Sequence, residues 1–577
     1  MKNKKLISML LATSMMVATF TGCGNNDAPV TTTTESKPAV TTESVSTDNT
    51  TGEFDPKSIT EGVTLTVAMP ESTRVADFNT NSTTLAIEEA LGVNLEFMTF
   101  PAADYEQKIN VMVMGGDKLP DIIFVGNSTK ADWSGWVAEE VLLPLDEYYA
   151  DPNMSANITA QSELIGVDMG TALSMADGHV YYLPKLAGAP HNAVYSKVWI
   201  YEPWLKTLGK EVPTTTEDFY ELCQAVIESD LNGNGKKDEL AMSGKALSNW
   251  FPCLMNGFVY SHDSEYRIVE DGKINFAYVT DEWKEGLKYL KKFFDEGLIP
   301  QEAITQSSTQ FDSQLYADEQ TIFSFAGWVP EATKGKEWRN EWIPLLPLIG
   351  PEGEQNAMFR TTSTYPAIGA AITVDCENPE AAFLVCDYLC SEEFGITARY
   401  GKQGKDWDYW EDAQESLMSS PKEDYIAYDG SNDIYFIAYD DVSFWNNPEP
   451  QNDSYIQQGC YIAGGHITNG MAVKGKNLSE EETLDLEYTV ELNAIIKELY
   501  NYSPEQIVDT APLTSEESAS IADAKATLKD YVSESIGAFL TGSWDIDEKW
   551  DDYLAELEKI GYKDVLDTYQ IGYDRTH

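Results

Sequence analysis

Segments with helical and strand periodicity alternate along this chain, and the alternation constrains its fold more than any other feature. STTLAIEEALGVNLEFMTFPAADYEQKINVMVMGGDKLPDIIFVGN, residues 82–127, predicts a helix, a strand, a second helix and a strand. GVTLTVAMP at 62–70 alternates apolar residues and predicts the first strand. Strands alternating with helices indicate an α/β fold whose sheets are covered on both faces.

Two polar residues follow predicted strands. DIIFV at 121–125 is a short apolar run that ends before Gly126 and Asn127. Ligands in α/β folds bind outside the carboxyl ends of the strands, so Asn127 is a candidate ligand contact. Arg74, in PESTRVADFN just after the first strand, is another, and its cationic group would suit an acidic ligand.

The amino terminus has the pattern of an export signal. A basic MKNKK is followed by the apolar run LISMLLATSMMVATF and then by Thr21, Gly22 and Cys23. The run is too short to predict a membrane-spanning helix. A cysteine after a small residue resembles the lipobox of bacterial lipoproteins, although Phe20 stands where Leu is usual. We therefore expect a signal peptide over 1–22 and lipidation of Cys23; the alternative is an ordinary cleaved secretion signal.

A tether should follow the lipidated cysteine. Residues 23–58 are rich in Thr and Ser and poor in large apolar groups, so they cannot bury enough surface to offset the cost of ordering. More than one acyl chain on Cys23, such as palmitate, would anchor the protein stably to the outer face of the cell membrane. The remaining stretch of about 515 residues predicts two or three domains.

Charge and cysteine content exclude some classes of function. The formal net charge of -56 disfavours nucleic acid as a partner, because phosphate binding relies on clustered Lys and Arg. The five histidines are isolated, and no Cys or His cluster has the spacing of a zinc site. Besides Cys23 there are six scattered cysteines, which we interpret as mostly buried free thiols; a disulfide remains open.

One loop has the composition of a calcium site. SDLNGNGKKDEL, residues 229–240, follows a predicted helix that opens with Thr214 and Glu217 as a capping box. The expected oxygen donors are Asp230, Asn232, Asn234, the backbone carbonyl of Lys236, Asp238 and Glu239. The twelfth position, where an EF-hand has a bidentate Glu, is Ala241, and Glu239 could substitute. With a helix on one side only, structural Ca2+ is expected rather than a switch; the alternative is a plain polar turn.

The order of several motifs resembles a known family. VAEEVLLPLDEYYAD, ADGHVYYLP and WLKTLGKEVPTTTEDFYELCQAV with DLNGNGKKDEL occur in the order found in extracellular solute-binding lipoproteins of carbohydrate ABC importers. The similarity is greatest to the large Gram-positive subgroup that takes oligosaccharides and to the alginate-oligosaccharide-binding proteins, which carry calcium in this loop. It extends to the terminal FLTGSWDIDEKWDDYLAELEKIGYKDVLDTYQIGYDR.

The resemblance implies a two-lobed α/β fold of the periplasmic-binding-protein type, with a hinge and a ligand cleft between the lobes. Lobe 1 would comprise residues 59–190 plus about 322–375, and lobe 2 residues 191–321 plus about 376–577. The protein would be a monomer that captures an oligosaccharide and delivers it to permease subunits of an ABC transporter. Its contact with the membrane would be through the lipid anchor alone.

Aromatic residues outside helical stripes are candidate ligand contacts, because sugar rings stack their C–H faces on aromatic platforms. The candidates are Trp328 after the predicted strand TIFSFAG, Trp445 in DVSFWNNPEP, Trp250 in LSNWFP and Tyr365 in TTSTYP. For each, ordinary packing is the alternative.

Catalysis is not expected. The chain contains no Gly-x-Ser-x-Gly, His-Glu-x-x-His or Walker motif, and a carboxylate pair for glycoside hydrolysis is always available among 95 acidic residues. A glycoside hydrolase is therefore a remote alternative. A peptide-binding lipoprotein of an ABC importer is the nearer one, and its site would use charged clamps and backbone pairing.

Overall fold

Two separate β-sheets organise the part of the chain that the structure describes. The computed structural model describes residues 54–577 apart from 125–134, 166–167, 186–193, 195, 262–264, 331–333, 359–366, 440–448, 454–469, 505–507 and 509–510. Phe54–His577 form one compact unit. Cys23 and the linker up to residue 53 therefore lie outside the described residues.

The strands are short, and those of the two sheets are interleaved along the chain. In chain order they are Thr64–Pro70 (β1), Asn94–Phe100 (β2), Ile122–Phe124 (β3), Tyr182–Lys185 (β4), Lys197–Tyr201 (β5), Leu240–Ser243 (β6), Arg267–Glu270 (β7), Lys273–Phe276 (β8), Ile322–Gly327 (β9), Trp342–Pro344 (β10), Ala367–Ile372 (β11), Trp407–Tyr409 (β12), Tyr425–Ala427 (β13), Phe436–Ala438 (β14) and Ala472–Lys474 (β15).

The α-helices fall between these strands and dominate the carboxyl-terminal part. They are Lys57–Thr60 (α1), Ser82–Leu91 (α2), Tyr105–Gly115 (α3), Asp146–Ala150 (α4), Ala156–Ile165 (α5), Met169–Leu173 (α6), Glu202–Leu208 (α7), Thr216–Ile227 (α8), Trp250–Met255 (α9), Asp281–Asp295 (α10), Ser308–Leu315 (α11), Lys336–Arg339 (α12), Pro379–Tyr388 (α13), Glu392–Tyr400 (α14), Glu480–Leu499 (α15), Ser515–Leu540 (α16), Ile546–Ile560 (α17) and Tyr562–Tyr573 (α18). In the described part of the chain, no helix has the length and apolar character needed to cross a membrane.

The first sheet has the strand order β2-β1-β3-β11-β4. Strand β1 is parallel to β2 and β3, whereas β11 is antiparallel to β3 and β4. Successive side chains of β1 enter two different cores: Val67 and Met69 face one, and Ala68 faces the other. The sheet is therefore covered on both faces, as the sequence predicts.

The second sheet has the order β10-β5-β9-β6 and is also covered on both faces. Its strand β9 is parallel to β6 and antiparallel to β5. On β5, Val198 and Ile200 face a core built with α8–α10 and α16–α18, whereas Trp199 faces a core that includes residues of α11 and α15. Mixed α/β content with two sheets confirms the predicted fold class.

The sheets correct the predicted lobe boundaries. Strands β9 and β10 lie in the second sheet, although residues from 322 onward were expected in lobe 1. Helices α13 and α14 contribute Phe383 and Phe394 to a core of the first sheet, although they were expected in lobe 2. The return to the first sheet therefore occurs between β10 and β11, and helical packing on that sheet continues through α14.

The chain passes between the sheets at neighbouring positions. It leaves the first sheet after β4 and returns at β11, and an isolated antiparallel bridge joins Ser196 to Met358 at the second-sheet end of both passages. A later passage runs from α14 through the small sheets β12-β14 and β13-β15 to α15. The two sheets are thus connected more than once.

The cysteines of the described residues are free, in agreement with the expectation of mostly buried thiols. Cys223, Cys386 and Cys390 are buried, whereas Cys253 and Cys376 are half-buried. Cys460 lies outside the described residues.

Candidate functional site

Trp328 directly follows the carboxyl end of β9, which is an inner strand of the second sheet. Its side chain is 52% exposed, and it is the only described tryptophan with an exposed side chain. The buried indole of Trp199 donates a hydrogen bond from Nε1 to the carbonyl oxygens of Gly327 (3.1 Å) and Trp328 (3.0 Å). The backbone is therefore held in place while the Trp328 ring presents an open surface, as a stacking platform requires.

Trp250 was a candidate platform, but the structure places it in the core. It is 1% exposed, and Nε1 donates a 3.2 Å hydrogen bond to the carbonyl of Ala303 and a second to that of Ala246. Gly244 lacks a side chain where a Cβ would lie 2.5 Å from the Trp250 ring. The indole thus has no open face for a sugar, and Trp250 is the first residue of α9 rather than a loop residue.

Arg74 follows β1 at the carboxyl edge of the first sheet and is half-buried. Its backbone carbonyl accepts a hydrogen bond from the N–H of Gln451 (2.9 Å), and the N–H of Ala76 donates to the carbonyl of Gln451 (2.9 Å). The segment that follows Trp445 in sequence is therefore attached to the loop that carries Arg74. Trp445 itself, like Asn127, Tyr365 and Cys23, lies outside the described residues, and their roles stay predictions.

A buried lysine beside the Trp328 strand was not predicted from the sequence. Lys197, the first residue of β5, pairs with Gly327 in the sheet register and is 3% exposed. Its Nζ donates a 3.0 Å hydrogen bond to the carbonyl of Val194. It lines a cavity of about 20 Å³ together with Cys253 and Asn256. A lysine opening the otherwise apolar strand KVWIY was the sequence signal.

Burial governs the protonation of Lys197. Loss of water lowers its pKa to about 7, and an interaction with Cys253 of α9 opposes the shift only in part. Burial in turn raises the pKa of Cys253 to about 12, so this thiol is neutral at pH 7. Lys197 therefore gains a proton with difficulty and titrates close to neutrality.

The loop at residues 229–240, predicted from the sequence to bind calcium, connects α8 to β6. Helix α8 begins with a capping box of Thr215 and Asp218, one residue later than predicted, and buries the predicted face of Phe219, Leu222, Cys223 and Val226. In the loop, Gly235 has φ +82° and donates its N–H to Asp230 Oδ2 at 2.9 Å. The backbone at Gly235 therefore folds back to the side chain of Asp230, the first predicted donor.

Glu239, near the end of the loop, is buried and binds the backbone at the start of the loop. It is 5% exposed, and Oε1 accepts hydrogen bonds from the N–H groups of Leu231 (2.6 Å) and Asn232 (3.1 Å). Its other oxygen, Oε2, is buried with no hydrogen-bond partner among the described residues. A buried carboxylate oxygen without a partner is costly and is suited to a cation.

The donor set fits calcium by its chemistry. In the described part of the chain, no group of three or more His, Cys, Asp or Glu side chains is arranged to hold a metal, and this includes the predicted carboxylate donors Asp230, Asp238 and Glu239. Three of the six predicted donors are instead amide or backbone oxygens, namely those of Asn232, Asn234 and Lys236. An all-oxygen set of carboxylates, amides and a carbonyl is the kind that Ca2+ prefers.

Replacing Trp250 or Trp328 by alanine should distinguish a tryptophan packed in the core from one exposed at the surface by the loss of stability. Trp250→Ala is expected to lower the free energy of unfolding by about 3–5 kcal/mol, because it leaves a cavity in the core. Trp328→Ala should change it by less than about 0.5 kcal/mol, since its ring lies at the surface. Urea unfolding of both variants measures the difference, and equal losses would contradict these placements.

Lys197→Met should flatten the pH dependence of stability. With a pKa of about 7 when folded and about 10.4 when unfolded, the unfolded state binds more protons between these values. The free energy of unfolding therefore rises with pH in this window, by up to about 1.4 kcal/mol per pH unit.

The measurement is urea unfolding between about pH 7 and pH 10 for the parent, Lys197→Met and the exposed-site control Lys210→Met. The slope should fall for Lys197→Met alone. Parallel curves for all three proteins would mean that Lys197 does not lose its proton in this window.

Comparisons with known proteins agree with the fold. The fructooligosaccharide ABC transporter substrate-binding protein FusA of Streptococcus pneumoniae is 26% identical over 509 residues, covering 85% of this chain and 86% of FusA. A solved HMO-binding solute-binding protein of Bifidobacterium longum infantis superposes with a TM-score of 0.70 at 18% identity, covering 89% of this chain and 98% of that one.

Two further solved structures share the fold. An EF-hand mutant of FusA in complex with fructo-nystose has a TM-score of 0.61 at 22% identity, covering 89% of this chain and 99% of that one. Alginate-binding protein AlgQ2 without calcium ion has a TM-score of 0.59 at 18% identity, with 89% and 98% covered. The resemblance inferred from the sequence is confirmed: the model of the bacterial extracellular solute-binding protein family matches residues 80–396, more than half of this chain, and the chain belongs to that family.

Proposed function

We propose that this protein is a lipid-anchored extracellular receptor that captures an oligosaccharide and delivers it, chemically unchanged, to the permease of an ABC transporter. The observation that carries the proposal is the similarity to FusA over most of both chains. Family membership supports solute capture, and the sequence around Cys23 supports a lipid anchor. The relatives named above are substrate-binding proteins, which favours binding over catalysis.

The site we propose lies at the carboxyl edges of the two sheets. Trp328 provides an exposed ring on the second sheet, and Arg74 lies on the loop after the first strand of the other sheet. Asn127, Trp445 and Tyr365 are proposed as further contacts from their positions in the sequence. An aromatic platform with a few polar groups suits a sugar, which has C–H faces and a rim of hydroxyl groups.

We propose a neutral oligosaccharide rather than an acidic one. The net charge of -56 repels polyanionic ligands at long range, and a single arginine does not offset that field. FusA, which is named for fructooligosaccharides, points to the same class. Arg74 would then serve as a hydrogen-bond donor to hydroxyl groups.

We further propose that the loop at residues 230–239 binds one structural Ca2+. The ion would be held by Asp230, Asn232, Asn234, the Lys236 carbonyl, Asp238 and Glu239, and it would compensate the buried Glu239 oxygen. Bound there, it would fix the end of α8 to the start of β6. No second helix follows the loop, so calcium would stabilise the fold rather than switch it.

Calorimetry on residues 54–577 should detect binding of neutral oligosaccharides. The panel contains fructooligosaccharides, alginate oligosaccharides and short peptides, and chromatography checks that each glycan is recovered intact. Neutral glycans are expected to bind more tightly than acidic ones. Tight binding of a peptide, or turnover of any glycan, would overturn the proposed function.

Trp328→Ala should weaken oligosaccharide binding about tenfold or more, which corresponds to a loss of at least roughly 1.4 kcal/mol of contact free energy. Tyr435→Ala is the matched control, because Tyr435 is 39% exposed but lies at the small sheets. The Tyr435→Ala variant should bind the oligosaccharide with the same affinity as the parent. Unchanged binding by Trp328→Ala would remove Trp328 from the site while leaving the receptor function open to the panel.

Removal of calcium should destabilise the protein. A ligand that binds the folded state alone adds about 2.7 kcal/mol when present at a hundred times its dissociation constant. A chelator is therefore expected to lower the melting temperature, and added Ca2+ should restore it, whereas Asp230→Ala should respond to neither. Identical melting curves of the metal-stripped parent with and without Ca2+ would refute the calcium site.

A further inference from the structure

Glu319 lies beside the calcium loop although it is 80 residues away in sequence. The amide nitrogen Nδ2 of Asn234 donates a 2.8 Å hydrogen bond to Glu319 Oε1. Next to it, Nδ2 of Asn232 donates to the carbonyl of Gln320 at 3.2 Å. Two predicted calcium ligands therefore contact the segment that precedes β9.

The sheet explains why these segments meet. Strands β6 and β9 are parallel neighbours, and Leu240 pairs with Ile322. The residues before each strand must therefore emerge side by side at the same edge. Glu239 immediately precedes β6, and Glu319 lies three residues before β9. The pairing of β6 with β9 thus brings the backbone of the Glu319 segment beside the loop, and the exposed Glu319 side chain reaches it through its hydrogen bond with Asn234.

Acidic side chains from both segments lie at this edge of the second sheet. Asn234 Nδ2 also lies 3.1 Å from both carboxylate oxygens of Asp238, so one neutral amide group bridges Asp238 and Glu319. Among the described residues, no lysine or arginine forms an ion pair with Asp230, Asp238, Glu239 or Glu319. The carboxylates of Asp238 and Glu319 repel each other when both are charged, and a cation bound between them would attract both.

A second feature of the loop points to a cation. Glu239 is almost fully buried, and its Oε2 lacks a hydrogen-bond partner among the described residues. Its Oε1 is occupied by two loop N–H groups. Only Oε2 is therefore left to serve a ligand of the loop.

We propose that Glu319 is an additional calcium ligand, which supplies from the segment before β9 the carboxylate that an EF-hand loop takes from its twelfth residue. That residue is Ala241 here, and it lies within β6. The assignment rests on the calcium site proposed above and extends it to a second segment of the chain. Calcium then joins the starts of β6 and β9 instead of closing one loop upon itself.

The consequence reaches the candidate ligand site through β9. This strand starts three residues after Glu319 and ends immediately before Trp328. All of its residues are buried, so the strand is held in place along its whole length. Fixing its start by calcium limits fraying of the strand whose other end carries the aromatic platform.

Luminescence lifetimes of bound Tb3+ in H2O and D2O test the assignment, because they count the water molecules on the ion. The probe is added to residues 54–577 as the parent, Glu319→Ala and Asp318→Ala. Asp318 is the matched control: it is an exposed carboxylate in the same segment, and its backbone carbonyl accepts a hydrogen bond from Lys334. Melting in chelator checks that all three proteins are folded.

Glu319→Ala should bind Ca2+ at least about tenfold more weakly, since loss of a residue that only supports a metal ligand already costs about 10- to 100-fold. Its Tb3+ should carry about one more water than that of the parent, as expected when one of 6–8 oxygen ligands is lost. Asp318→Ala should match the parent in both. A water count unchanged in Glu319→Ala would overturn the inference while leaving the calcium site intact. Failure of the parent to bind either ion would instead refute the calcium site itself.

Discussion

The buried pairing of β9 with β5 and β6 is the constraint on which the second lobe depends. The strand has neighbours on both sides and cores on both faces, so it is held along its whole length. One end carries Trp328, and the other emerges beside the predicted calcium loop. The proposed ligand site and the proposed calcium site therefore lie at opposite edges of one sheet, and the ligand site is at the carboxyl ends of strands, where α/β folds bind ligands.

The connections between the sheets complete this arrangement. Two passages of the chain meet at the bridge between Ser196 and Met358, next to the buried Lys197. A third contact is the pairing of Gln451 with the loop of Arg74. Hinges are formed by a few such connecting residues, which suits a receptor that we propose to close over a sugar.

Local patterns in the sequence predicted local structure well and long-range placement poorly. Strand β1 and the apolar face of α8 follow from periodicity of a few residues. Trp250 and Trp328 both stand beside turn residues, yet only Trp328 is exposed, because burial of Trp250 depends on Gly244 and on a carbonyl at Ala303. Likewise, Glu319 could not be assigned from spacing, since its place depends on the parallel pairing of β6 with β9.

Hydrogen–deuterium exchange tests the central claim, that an oligosaccharide binds at the carboxyl edges of the sheets. The protein is compared with and without an oligosaccharide whose binding calorimetry has established. Amides around Trp328 and in the loop after β1 should become protected, and amides around Glu319, at the opposite edge, should not change. Protection confined to other parts of the chain would contradict the proposed site.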